Sequence, residues 1–204
     1  MNLMLRRRLM MTKSGGGGGD LPAGYRSLPY IVGHRSYIDT ELTYGAGMKI
    51  VFKERLVTPD TSGCIFGSNG SPELLLSFRG NTRNYLGGDS WTYTYTVGQM
   101  YEFEIDLKYT SATQQKVYID GDLKYTATNR SIDAKTIYIG AMNAPDNPNF
   151  PNNEQEWYYF DVYDTNGLVA SLKPCVRVAD NVVGMYDIIR NQFLSSANSN
   201  PFTT

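Results

Sequence analysis

A chain of 204 residues with 41% hydrophobic content can bury one sizeable core, so a single domain with an appendage is expected. Its 16 tyrosines and 20 glycines, with 19% charged residues, favour strands over helices, because aromatics suit a pleated, half-buried surface. Residues 1–19 carry Arg6, Arg7, Arg8 and Lys13 and no acid, leaving 15 basic and 20 acidic residues (net −5) for the remainder, a distribution that suggests an arm that docks on a partner rather than a nucleic-acid-binding domain.

In chain order, residues 1–13 form a basic, Met/Leu-rich segment, and residues 14–19 form a spacer with five consecutive glycines. The arm is taken as residues 1–20 and the folded domain as residues 21–204. The start MNLMLRRRLMM does not read as a signal peptide, since arginines interrupt its apolar residues and no small-residue cleavage site follows. No stretch is long enough to span a bilayer as a helix.

From Leu21 onward the pattern is strand after strand. SLPYIVG and SYIDTEL read as a hairpin pair. GMKIVFKERL alternates, with Met48, Ile50 and Phe52 set against Lys49, Val51 and Lys53. CIFGS, ELLLSFRG and TYTYTV follow. MYEFEIDLKYT puts Tyr101, Phe103, Ile105, Leu107 and Tyr109 on one face and Glu102, Glu104, Asp106 and Lys108 on the other. KVYIDGDLKYT is a hairpin on Asp120-Gly121, a pair suited to a two-residue turn with positive φ. TIYIGAM, WYYFDVYD, LVASLKPCV and GMYDIIRNQFL complete about a dozen strands. Toward the C-terminus, Pro174 of LVASLKPCV is expected to halt a strand and Gly184 of GMYDIIRNQFL to permit a close re-entry. Met185, Ile188 and Phe193 would then bury beside the N-terminal strand and cover a sheet edge. The fold class is therefore all-β, a two-sheet antiparallel jelly-roll sandwich carrying an extended N-terminal arm. Cys64 and Cys175 lie in apolar strand-like surroundings and read as buried free thiols rather than a disulfide.

Three segments together resemble concanavalin A-like (laminin-G-like) domains of bacteriophage and prophage structural proteins: LPAGYRSLPYIVGHRSYIDTEL, KVYIDGDLKYT, and the ending WYYFDVYDTNGLVASLKPCVRVADNVVGMYDIIRNQFLSSANSNPF. The chain departs from that pattern in two turns, at Val32-Gly33-His34-Arg35 and at Ser195-Ser196-Ala197-Asn198. The resemblance implies a lectin-like sandwich on a virion, with host-surface glycan as ligand, other virion proteins as partners of the arm, and a homo-oligomer, with a trimer the first expectation. Assembly would take place in a bacterial cytoplasm. The alternative is a free carbohydrate-binding module or a degenerate glycoside hydrolase.

Glu104-Ile105-Asp106 resembles the start of the carboxylate strand motif of sandwich-fold glycosidases. Retaining hydrolysis needs two carboxyls about 5–5.5 Å apart, but Lys108 stands where the last carboxylate belongs. No enzyme is expected, and the strand reads as a charged solvent face. His34, the one histidine, sits in a turn signal with no nucleophile near it in sequence. Two patches carry the candidate glycan residues. Tyr85, Trp91 and Tyr93 lie in NYLGGDSWTYTY, where alternation makes either an exposed platform or a core face. Asn147, Asn149, Asn152 and Trp157 lie in APDNPNFPNNEQEW, which is either a turn-rich connection or a sugar-binding loop of amides beside an aromatic ring. No metal or cofactor is expected, although that loop has the oxygen donors calcium takes.

Overall fold

The computed structural model describes residues 21–45, 47–58, 63–68, 76–79, 83–86, 89–107, 115–127, 135–141 and 154–204. Among these the chain forms sixteen strands and no helix. In chain order they are β1 (Tyr25–Ser27), β2 (Ile31–Gly33), β3 (Ile38–Tyr44), β4 (Lys49–Leu56), β5 (Gly63–Ser68), β6 (Leu76–Arg79), β7 (Arg83–Leu86) and β8 (Asp89–Thr92). Then follow β9 (Met100–Asp106), β10 (Gln115–Ile119), β11 (Asp122–Ala127), β12 (Lys135–Ile139), β13 (Gln155–Tyr163), β14 (Leu168–Arg177), β15 (Val182–Asp187) and β16 (Gln192–Ser195). The larger sheet runs β11-β10-β9-β4-β13-β14-β15-β16, with β1 added to β14 and β2 to β13; the smaller runs β3-β12-β5-β6-β7-β8. The pairings are antiparallel, and the chain is an all-β sandwich of the jelly-roll kind.

Period-two patterning places the core. In β4 Ile50, Phe52 and Leu56 point inward while Lys49, Val51, Lys53 and Arg55 point outward. β9 repeats this, with Tyr101, Phe103 and Ile105 buried beneath Glu102, Glu104 and Asp106. Phe52 stacks between Phe103 and Phe160, with ring centroids 4.9 and 5.5 Å away. Ile38, Ile137 and Ile139 of the smaller sheet meet this layer, and each fully buried side chain contributes about 1.5–3 kcal/mol. The β10–β11 hairpin turns as expected, on Asp120 at φ 52° and Gly121 at φ 84°.

The two opening segments do not form a hairpin with each other. β1 and β2 fill the gap that opens where β13 and β14 diverge, pairing with residues more than a hundred positions away, and β3 crosses into the smaller sheet beside β12. Nor does Pro174 halt its strand, since β14 runs through it. Its carbonyl accepts the Leu28 N–H at 3.0 Å, so its nitrogen faces that same side. There the β13 ladder has ended at Leu172 and the β1 ladder begins at Cys175. A missing N–H at that gap costs no ladder bond.

The C-terminal hairpin closes the domain in a different way from that expected: β16 is itself the sheet's last strand. Gly184 permits the approach, because a Cβ there would lie 2.4 Å from the Leu194 carbonyl oxygen. Met185 is fully buried, Ile188 and Phe193 are half-buried, and Phe193 packs on Tyr25 of β1. The β15–β16 turn also ties the sheets together. Buried Asp187 accepts N–H groups of Ser171, Ile189 and Arg190 and the Arg190 guanidinium, whose Nη1 reaches the Thr40 carbonyl of β3 at 2.8 Å. Burial pushes the Asp187 carboxyl upward, but these bonds hold it below the ordinary carboxylate range. Beyond β16 the tail returns to β2, bridging Thr203 to Val32. Cys175 is a buried free thiol, pushed up to about 12 by burial, and the Cys64 side chain lies outside the described residues.

Candidate functional site

The solvent face of the larger sheet carries three registered rows of polar and aromatic side chains. The first runs Lys116, Asp106, Lys49, Tyr163 across β10, β9, β4 and β13. The second runs Tyr118, Glu104, Val51, Asp161, Ser171. The third runs Glu102, Lys53, Tyr159. Cross-strand neighbours of this kind lie about 4.5–5.5 Å apart at Cβ, so the rows form one continuous surface.

The side chains are mutually organised. Tyr159 donates its hydroxyl to Glu102 at 2.7 Å, and Lys173 Nζ sits 5.1 Å above the Tyr159 ring. Lys173 also pairs with Asp161 at 3.4 Å, which accepts the Ser171 hydroxyl at 2.6 Å. Lys49 Nζ lies 4.8 Å over the Tyr163 ring and 3.7 Å from Glu104. Burial and the bond to Glu102 push the Tyr159 phenol well above its ordinary range; burial, with Asp161 and Glu104 nearby, raises that of Tyr163. Both phenols therefore stay neutral donors at physiological pH. In the adjoining row Arg55 makes a two-pronged bond to buried Glu156, which also accepts the Tyr158 hydroxyl at 2.6 Å.

A β-bulge creates this arrangement. Glu54 opposes Trp157 and Lys53 opposes Tyr159, leaving Tyr158 as the extra residue. Strict alternation would put Trp157, Tyr159, Asp161 and Tyr163 on one face. The bulge reverses the parity, so Trp157 turns into the core while Tyr159, Asp161 and Tyr163 turn out.

The expected glycan residues fare differently. Trp157 is 2% exposed, with Gly33 and Gly140 against its ring and Phe202 edge-on at 5.9 Å, so no sugar can stack on it. Its place as a loop-end platform is thereby corrected. Trp91 is buried and stacked on Tyr125 at 5.3 Å, Tyr93 is half-buried, and Tyr95 packs edge-on against Tyr101. The core reading of that aromatic run holds, and the exposed platform gives way to it. The backbone of Tyr85 lies in β7 opposite Ser77 and Ser90, its side chain outside the described residues. Asn147, Asn149 and Asn152, Lys108, and the arm residues Arg6, Arg7, Arg8 and Lys13 also lie outside them. Among the described residues no cluster of three or more His, Cys, Asp or Glu could hold a metal ion, and no helix is long and apolar enough to cross a membrane. Glu104 and Asp106 do share the outer face, as their spacing requires. Sequence reasoning saw Glu102, Glu104 and Asp106 as a solvent face but missed the tyrosines that complete it.

No family model matches the chain, nor does any curated protein sequence. Among solved structures the chain is similar to alginate lyase AlgAT5 from polysaccharide lyase family 7, at 16% identity over 65% of this chain and 61% of that one, with a TM-score of 0.41. It is similar to beta-agarase A from Zobellia galactanivorans, at 13% identity over 63% and 66% of the two chains, with a TM-score of 0.46. It is also similar to the botulinum neurotoxin serotype D binding domain, at 14% identity over 69% and 42%, with a TM-score of 0.47. The chain spans less than two thirds of the length of each.

Proposed function

We propose that this chain is a non-enzymatic structural protein of a phage particle, held by its basic arm and displaying a glycan-binding sandwich. The observation that carries the glycan-binding part is the three-row face of the larger sheet. Tyr118, Tyr159 and Tyr163 offer ring faces for apolar sugar C–H groups, and the surrounding side chains offer donors and acceptors for hydroxyls. Lys49, Lys53, Lys116 and Lys173 balance Glu102, Glu104, Asp106 and Asp161, so the face suits a neutral glycan better than a polyanion. The phage setting and the oligomer are supported by the resemblance of the three sequence segments, and the arm by the basic residues and glycine spacer of residues 1–19.

A free carbohydrate-binding module or degenerate hydrolase is the second reading, favoured by Glu104 and Asp106 on the same outer face. The non-enzyme reading is supported by Lys108 in the last motif position and by the Lys49–Glu104 pair, which commits one carboxylate to a cation. Calorimetry against neutral β-glucans and galactans should show weak binding that falls about tenfold on Tyr163→Ala, the loss of roughly 1.4 kcal/mol of ring contact. No reducing ends should appear. Binding untouched by Tyr163→Ala would remove the outer face as the site, and turnover abolished by Glu104→Gln would establish an enzyme.

The virion assignment has its own test. Deleting residues 1–19 should leave a soluble domain with an unchanged thermal midpoint that no longer co-purifies with particles, because the core described above begins after them. Stoichiometric co-purification of the truncated chain would place attachment on the sandwich. Copy number at the attachment site tests the homo-oligomer; isolated single copies would contradict it.

A further inference from the structure

We propose that the notch between β15 and the C-terminal tail is a second ligand site, taking one neutral sugar residue. The notch exists because two strands part company. β15 stays paired with β14 as far as Val182, opposite Arg177, but β16 pairs only with Gly184–Asp187. The outer edge of Val182 and Val183 is therefore left without a strand partner among the described residues. The chain instead swings away, tied by the Ala197 N–H to the Tyr37 carbonyl at 2.8 Å, and returns at Thr203 to β2. Between the parted segments lies a cleft of about 320 Å³.

Its lining has the chemistry of a sugar subsite. Val182, Val183 and Phe202 supply its apolar lining, and exposed Asn181, Ser195 and Ser199 form its rim. No lining residue is charged, and neighbouring Arg177 and Asp180 neutralise each other at 2.7 Å. The rim side chains make no hydrogen bond to other described residues, which leaves two hydroxyls and an amide for a ligand. The tail wall is already held: Asn198 and Asn200 both donate to the Arg35 carbonyl, at 2.8 and 3.1 Å, and Ser36 donates to that of Pro201 at 3.1 Å. Binding thus needs little ordering of the protein. The volume sits at the small end of ligand pockets, about 300–1,000 Å³, which suits one ring rather than a chain. An extended peptide is the poorer fit, because the free edge is only two residues long before β16 covers it.

This site uses none of the residues of the three-row face, so the two stand or fall separately. The test is amide chemical-shift mapping of the full chain titrated with glucose, galactose or N-acetylglucosamine at millimolar concentrations. The expected result is saturable shifts at Asn181, Val183, Ser195 and Ser199 with at least one sugar. Ser195→Tyr, which fills the notch from an exposed position, should weaken them tenfold or more and leave any shifts around Tyr163 unchanged. Ser199→Tyr serves the same purpose if the first variant does not fold. Three outcomes overturn the proposal: no shifts at the notch with any of the sugars, shifts that survive the filling variant, or saturation by an extended valine–threonine peptide and by none of the sugars.

Discussion

Gly140→Ala should lower stability by about 3 kcal/mol, equivalent to roughly 6–12 °C in thermal midpoint for a domain of this size. Two independent costs add at this position. Its φ of +82° is left-handed, a region that strains any residue with a Cβ by about 1–2 kcal/mol. The new Cβ would also lie 2.6 Å from Trp157 Cη2 and 2.9 Å from the Ser36 carbonyl oxygen. Neither neighbour yields readily, since the indole is 2% exposed and the oxygen is backbone. Gly33→Ala provides the comparison. Its Cβ would meet the same indole at 2.4 Å, but its φ lies outside the left-handed region, so only the ring resists. On a Trp157→Leu background the added cost of Gly33→Ala should largely vanish while most of that of Gly140→Ala persists, which a double-mutant cycle in denaturant reads directly. Equal rescue of both would mean that backbone strain contributes nothing at Gly140.

A large pH effect is expected from Glu54. It points into the core of β4 between Trp157 and Tyr101, is 4% exposed, and its Oε2 has no hydrogen-bond partner. Burial pushes its carboxyl from 4.5 up to about 8. The groups facing it on neighbouring elements are Tyr101 of β9, Tyr95 of the segment before it, and Gln155 and Trp157 of β13, none of them cationic. The folded state therefore holds a proton that the unfolded chain releases near 4.5. Its contribution is fully present below pH 4.5 and is lost as pH rises through about 8. The loss is on the order of 5 kcal/mol. Glu54→Gln, uncharged throughout, should match the wild type near pH 5 and exceed it in stability at pH 9. Parallel stability–pH curves for the two proteins would refute this account.

Much of the architecture was legible in the residues because its causes are local. Alternation in β4 and β9 depends only on the period of a strand, and Asp120-Gly121 specifies its turn without help from elsewhere. For the same reason Glu102, Glu104 and Asp106 could be placed on one solvent face from their spacing. The candidate site was only half visible. Tyr159 and Tyr163 follow Trp157 at even spacing, so alternation alone would put all three on one face; a single bulged residue, Tyr158, separates them. Whether Trp91 and Tyr95 were core or platform was equally undecidable along the chain, since a face is buried only when another sheet lies against it.

Side-chain period, turn chemistry and the character of immediate neighbours suffice for the all-β class, the hairpin on Asp120-Gly121, the inward and outward faces of β4 and β9, and a free thiol at Cys175. Long-range pairing is what makes β1 and β2 fill the gap between β13 and β14, lets Pro174 lie harmlessly within a strand, turns Trp157 inward at the bulge, and brings Lys49, Glu104, Asp161 and Tyr163 onto one surface. Pairing partners and register are chosen by competition among distant segments for the same edges and the same core volume. That competition leaves no mark on the neighbours of any one residue.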